Sequence, residues 1–308
     1  MGTNINRQQI LSRKQWSIHD GVGTAGATCT DYNCTSALFG GTDYVDTASN
    51  LALWNAFDIT DPFTISFWIK PNWGDVPGTF SMLSIGDTTG AWNDHVFNIY
   101  FHNGNSAVRQ NRLVIEFRSG ADRVQAFWPL HSASATTGLP NTYLDPWSSA
   151  YPGYVNAKGF TNLTFTYNPT LSSAPSNERF RCLWNGNDIG ASFANSNNPS
   201  SVDFPNSLAK TARLGARLVT NTSGMDGHLD EVSVINKVLS FSELIPLWNG
   251  TAALGSTDGT PNNLLSLPAA TSNFLVAWYR FENNFVDSST NTSPLTNNGV
   301  SFDQTIKA

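Results

Sequence analysis

Between Phe63 and Lys70 the chain reads Phe-Thr-Ile-Ser-Phe-Trp-Ile-Lys, apolar and polar residues alternating almost throughout, and Pro71 ends the run. Successive side chains of an extended strand point to opposite faces, so this pattern buries one face and leaves the other polar only as a β-strand. Comparable runs at 96–101, 113–117, 124–128, 160–167, 180–184, 213–218 and 229–235 predict further strands. Asn103-Gly104 and Asn185-Gly186 each follow such a run, as two-residue hairpins require, because both central residues need positive φ. Many short strands joined by tight turns predict an all-β sandwich or barrel.

One helix interrupts the pattern. Ser240 followed three residues later by Glu243 reads as a capping box, Leu244, Leu247 and Trp248 supply an apolar side, and Gly250 stops it. Pro246 holds it to about two turns.

Charged residues make up 13% of the 308, against roughly 25% in an average soluble domain, while aromatics reach 12%. Such a balance disfavours coiled coil, collagen and highly charged disorder. The net charge of −6, with 17 basic residues scattered singly, argues against a nucleic-acid partner. The longest strongly apolar run, Phe274 to Trp278, is too short to span a bilayer, so no membrane partner is expected. Met1 to Ile18 is polar and lacks the basic end and apolar stretch of a signal peptide, which predicts no secretion by the usual route. Three cysteines are too few for a disulfide framework. Cys29 and Cys34 are close enough to pair, but free thiols are the favoured reading for them and for Cys182.

Two stretches exceed a minimal sandwich. Residues 129–159 carry Pro129, Pro140, Pro146 and Pro152 with Tyr143, Trp147, Tyr151 and Tyr154 between them, a long loop whose aromatics predict order. Residues 250–273 read as a linker or a surface-wrapping segment. Leu275 to Glu282 then forms one more strand pattern, followed by an Asn297-Asn298-Gly299 turn, and either edge of a sandwich could accept the returning strand. The expected organisation is an N-terminal arm over 1–35, a sandwich over 36–250, and a C-terminal linker and returning strand over 251–308.

Four motifs, in order, resemble the LamG-like (laminin G-like) jelly rolls of the concanavalin A-like lectin/glucanase superfamily. They are Leu38-Phe39-Gly40-Gly41-Thr42-Asp43-Tyr44-Val45-Asp46, the Phe63–Pro71 run, Leu183-Trp184-Asn185-Gly186, and Gly227-His228-Leu229-Asp230-Glu231-Val232 through Leu239-Ser240-Phe241-Ser242-Glu243. The resemblance implies a concanavalin A-like jelly-roll sandwich of two antiparallel sheets with one short helix. The stretch from Thr260 to Gly299 is similar to the ending of LamG-like proteins of tailed phages. That similarity implies a virion protein made in the host cytoplasm: a decoration, fibre or capsid-associated component that contacts other capsid, tail or fibre proteins. Symmetric virion positions imply a homo-oligomer, a trimer or another closed ring.

A fold of this kind does not fix a function, which has to come from a site. Glucanases of the superfamily carry a Glu-x-Asp-x-x-Glu strand, and none of Glu116, Glu178, Glu231, Glu243 and Glu282 sits in that arrangement, so no enzyme is expected. Asp230 and Glu231 are adjacent and read as a structural signature. The resemblance implies a rim calcium site in which Asp94 matches a ligand position, with Ca²⁺ as the possible cofactor and a solvated turn as the alternative. Sugar binding would use loop aromatics beside polar side chains, which singles out Trp73, Trp92 with Asn93, Tyr143, Trp147 and Tyr151. The same aromatics equally suit a role in pinning loops or forming a subunit contact. Trp68, Trp184, Trp248 and Trp278 fall on strand or helix patterns and are expected in the core. Two readings follow: a non-enzymatic structural virion protein, or a carbohydrate-binding lectin-like module for host polysaccharide, calcium-dependent if Asp94 ligates.

Overall fold

The alternating run is strand throughout, and its neighbours build two sheets. The computed structural model describes residues 35–48, 54, 57–71, 79–88, 96–102, 112–129, 161–171, 179–184, 186–188, 193–194, 202, 204, 209–218, 223–248 and 264–303. Among them the strands are β1 (Ser36–Gly40), β2 (Tyr44–Thr47), β3 (Phe63–Pro71), β4 (Phe80–Asp87), β5 (Val96–His102), β6 (Arg112–Ser119), β7 (Asp122–Pro129) and β8 (Thr161–Tyr167). They continue with β9 (Phe180–Trp184), β10 (Asn187–Asp188), β11 (Phe193–Ala194), β12 (Lys210–Leu214), β13 (Asp226–Ile235), β14 (Leu275–Tyr279), β15 (Leu295–Asn298) and β16 (Ser301–Asp303). The first sheet runs β10-β9-β8-β3-β13-β1-β16, with β14 also on β13; the second runs β11-β7-β6-β5-β4-β12-β2-β15. All pairings are antiparallel, and the chain is an all-β jelly-roll sandwich.

The inward half of each alternation fills the space between the sheets. Phe63, Ile65, Phe67 and Ile69 of β3 meet Phe97, Ile99 and Phe101 of β5 and Leu113, Ile115 and Phe117 of β6 in one core. Its centre is aromatic: Phe97 and Phe117 lie 4.8 Å apart between centroids, and Phe63 meets Phe97 edge-on at 5.3 Å, geometries that add to area burial. Two buried polar groups at this end find carbonyl partners. Tyr167 donates its hydroxyl to the Ile59 carbonyl at 2.8 Å, and the Lys210 ammonium donates to the Phe57 carbonyl. Burial pulls the Lys210 ammonium down to about 8, against the opposing pull of Asp58 and Asp61.

β4 carries no clean alternation in the sequence, for two reasons. Both of its faces are buried, and a bulge between Ser81 and Leu83 shifts its phase against β5. β12 ends at Leu214, short of the sequence expectation, because Gly215 takes a φ of 88° and turns the chain. Trp184 pairs with Asn187, leaving the two-residue connection that the Asn-Gly dipeptide predicted, and Gly186 has a φ of 76°.

The outer face of the first sheet is closed by the chain itself. Helix α1 (Phe241–Trp248), a 3-10 turn at Leu264–Ser266 and helix α2 (Ala269–Ser272) bring Leu244, Leu247, Leu264 and Leu267 onto Leu183, Ile235 and Trp278. The polar residues beneath are paired. Ser66 and Thr164 hydroxyls meet at 2.8 Å, and the Asn162 amide donates to Ser66 and to the Leu247 carbonyl at 3.1 and 3.2 Å. Trp278 is therefore buried, but under α1 and not between the sheets, and Trp68 is only half-buried on this outer side, opposite Asp230. The side chains of Trp184 and Trp248 lie outside the description.

At α1 the Glu243 carboxylate accepts from the Ser240 backbone N–H at 2.9 Å, the Ser240 hydroxyl at 2.7 Å, Lys237 at 2.5 Å and Thr271 at 2.7 Å. This is the reach-back half of the capping box. The Lys237 bond is the largest of the influences that hold Glu243 at about 2. A carboxyl held below its free value contributes stability that is complete above about 4.5 and is lost as pH falls toward 2. Acid titration of unfolding should show that slope, and Glu243→Gln should flatten it.

The C-terminal strands reach both edges of the sandwich. β15 pairs with β2 on the second sheet and β16 with β1 on the first, so one crossing from sheet to sheet closes an edge of each. Beside it, the backbone approach is tight: a Cβ on Gly224 would stand 1.9 Å from the Gly41 carbonyl oxygen. Gly224→Ala should lower stability by about 3 kcal/mol in chemical denaturation, the upper end for overpacking, because only backbone movement relieves the clash.

Candidate functional site

With one outer face closed by α1, the outer face of the second sheet is where the polar half of the alternation gathers. Cross-strand partners Gln125–Glu116, Glu116–Asn98, Asn98–Ser84, Ser84–Arg213, Arg213–Asp46 and Asp46–Thr296 put seven polar side chains in one row across seven strands. Strand spacing of ~4.8 Å makes the row roughly 29 Å long. It is graded: Gln125, Glu116, Asn98 and Ser84 are sealed from solvent, Asp46 is half-buried and Thr296 is exposed.

Along the row, the Ser84 hydroxyl donates to the Asn98 carbonyl oxygen at 2.6 Å. Arg213 grips Asp46 with two bonds of 2.6 and 2.8 Å and lies 3.9 Å from the centre of the Tyr44 ring, which fixes both in place. Tyr100, one residue pair along the strand, hydrogen-bonds Glu116 and has the Arg217 guanidinium 5.5 Å from its ring centre.

Glu116 is the exceptional member. It is 1% exposed, and its Oε2 has no hydrogen-bond partner. Burial pushes its carboxyl up, only partly offset by Arg118, Arg123, the Tyr100 hydrogen bond and Arg217. Burial likewise pulls the Arg217 guanidinium down, with Tyr100 and Glu116 opposing. A buried carboxylate oxygen without a donor costs free energy that the fold alone does not require, and it is a ready acceptor for a hydroxyl or an N–H.

The seven side chains singled out in the sequence, Trp73, Trp92, Asn93, Asp94, Tyr143, Trp147 and Tyr151, lie outside the described residues, as do Cys29 and Cys34. Among the described residues no group of three or more His, Cys, Asp or Glu gathers as a metal site, so the calcium expectation rests on Asp94 alone. Cys182 is a free, buried thiol. The polar row went unread in the sequence. Its members do sit at the outward positions of recognisable strands, but only the register brings them side by side.

Asp230 and Glu231 have structural work. Glu231 takes a φ of 49° in the bulge between Asp230 and Ser233, accepts from the Trp278 indole at 2.6 Å, and lies 3.6 Å from Arg280. Its backbone N–H donates to Asp230 at 2.7 Å.

No family model matches the chain, and no curated protein matches it in sequence. Solved structures similar to it include a native heptameric SAP-like pentraxin from Limulus polyphemus, at 11% identity over 91% of this chain and 99% of that one, TM-score 0.47. A putative carbohydrate binding protein from Bacteroides ovatus is similar at 10% identity over 89% of this chain and 60% of that one, TM-score 0.48. The CBM40 of Ruminococcus gnavus IT-sialidase is similar at 16% identity over 69% of this chain and 96% of that one, TM-score 0.41. At these identities the likeness is one of fold.

A carboxyl raised by burial destabilises the folded state where it ionises. Its contribution is complete below the ordinary carboxylate range and is lost as pH rises through the raised value. Glu116→Gln, neutral and the same shape, should raise the unfolding midpoint at neutral pH and flatten the fall in stability above about pH 4.5, the unshifted glutamate value.

Proposed function

We propose that the chain is a non-catalytic carbohydrate-binding module and that the outer face of the second sheet reads the saccharide. The observation that carries this reading is the unpartnered, buried Glu116 oxygen within a row of amides, hydroxyls and a guanidinium. Sugar hydroxyls both donate and accept. Asp46 and Thr296 are the members a saccharide touches directly, while Glu116, Asn98, Gln125 and Ser84, sealed from solvent, engage it only when this face is uncovered. Stacking on sugar faces falls to the loop aromatics Trp73, Trp92, Tyr143, Trp147 and Tyr151. Ca²⁺ joins the reading only through Asp94, with Asn93 beside it.

Hydrolysis fits this face poorly. A glycosidase needs a second carboxylate ~5–9.5 Å from the first. The other carboxylate of the row, Asp46, is four strands from Glu116, or ~19 Å. It is also held by Arg213. The structural virion reading keeps its support in the resemblance of residues 260–299, and the polar row favours the ligand reading over it.

A glycan array probed with the wild type, with and without EDTA, tests the proposal. The expected result is selective binding that Glu116→Gln weakens ~10-fold or more, the equivalent of one lost charge-assisted hydrogen bond. Binding untouched by Glu116→Gln would move the site off this face. Absence of binding by folded protein would overturn the carbohydrate reading. Loss on EDTA treatment, reproduced by Asp94→Ala, would establish the calcium link.

A further inference from the structure

We propose that Asn298 is a site of spontaneous deamidation, and that its product loosens the β15–β16 crossing that closes one edge of each sheet. Asn298 ends β15 and is followed by Gly299, which is exposed, has a φ of 97° and carries no side chain to shield its backbone nitrogen. How firmly each amide is held separates Asn298 from its neighbours. Asn297 is locked by two bonds with Val300, at 2.9 and 2.8 Å, and the Asn291 amide donates to the Leu275 and Val276 carbonyls, both at 2.9 Å. Asn162 is buried beneath α1. The Asn298 amide has one long bond, 3.3 Å, to the Thr296 carbonyl within its own strand.

The chemistry needs only water. The Gly299 backbone nitrogen loses its proton to solvent and attacks the Asn298 side-chain carbonyl carbon. A C–N bond forms in a five-membered imide, the bond to the side-chain nitrogen breaks, and that nitrogen takes up a proton and leaves as ammonia. Water then adds to either imide carbonyl, giving aspartate or isoaspartate. No electrons are exchanged.

The location turns a small chemical change into a structural one. Asn298 pairs with Tyr44 at the end of β15, the last pair before the chain crosses to β16. The product therefore sets a new negative charge on the β15–β2 pairing. In the isoaspartate form the backbone also gains a methylene, which throws β15 out of register with β2 and pulls on β16 beyond the turn. Freed from β15 and β16, the β2 and β1 edges present unpaired backbone to other chains.

The test ages the intact folded protein at mildly alkaline pH and body temperature and maps each asparagine by mass. The expected result is a one-dalton gain and an isoaspartate signature at Asn298 while Asn291, Asn297 and Asn162 keep their amides. In the converted fraction, hydrogen exchange should rise across 44–47 and 295–303. An Asn298→Gln variant, whose longer side chain closes a ring slowly, should keep the fresh unfolding midpoint and show neither change. Retention of the Asn298 amide while an unstructured peptide of the same sequence converts would overturn the site. Conversion with unchanged exchange at β2 would overturn its structural consequence.

Discussion

Everything in the sandwich hangs on how the chain crosses between sheets at Gly40–Asp43. β1 belongs to one sheet and β2 to the other, so three residues must turn the backbone from one layer into its opposite. The Asp43 carboxylate accepts the Gly40 N–H at 2.8 Å, and the Gly41 N–H donates to the Met225 carbonyl at 2.8 Å. Met225 in turn donates to Gly215 at 2.6 Å, and Gly215 to Met82 at 3.1 Å. This relay of backbone bonds connects the crossing to the approaches of β4, β12 and β13, which leaves no room for side chains at 40, 215 and 224, while Gly41 is needed for its φ of 84°.

The polar row depends on that frame. Strand alternation supplies one outward residue at each step, but the row exists only when seven strands are held in fixed register. Glu116 belongs to a strand paired on both sides, and its burial cost is carried by the aromatic core on the inner face of the same strands. Stability made between the sheets is what allows an unsatisfied carboxylate on the outside of one of them.

How much of this could be read in the sequence follows from the range of the interactions concerned. The Phe63–Pro71 strand, the strands over 161–167 and 180–184, and the helix starting after Ser240 were legible, because alternation and capping are local signals. β4 was hidden by its bulge and by burial on both faces, and the end of β12 by a single glycine turn. Trp278 was legible as buried, but not as lying under a helix, since nothing local distinguishes the two sides of a strand. The row from Gln125 to Thr296 joins residues brought together only by pairing between distant segments, and no spacing in the chain announces it.

The pairing of the first strand with the last has a consequence for biosynthesis. Ala37 lies opposite Phe302, and Val45 opposite Asn297, so both sheets wait for β15 and β16 before these edges close. While the chain emerges from a ribosome, β1 and β2 are left without these partners until the whole segment between them and β15 has been made. Contacts so distant in sequence form slowly, since loop closure comes before any gain from pairing. A nascent chain of this design passes through its most adhesive state just before β15 and β16 emerge, and crowding on a polysome is where that state would be felt.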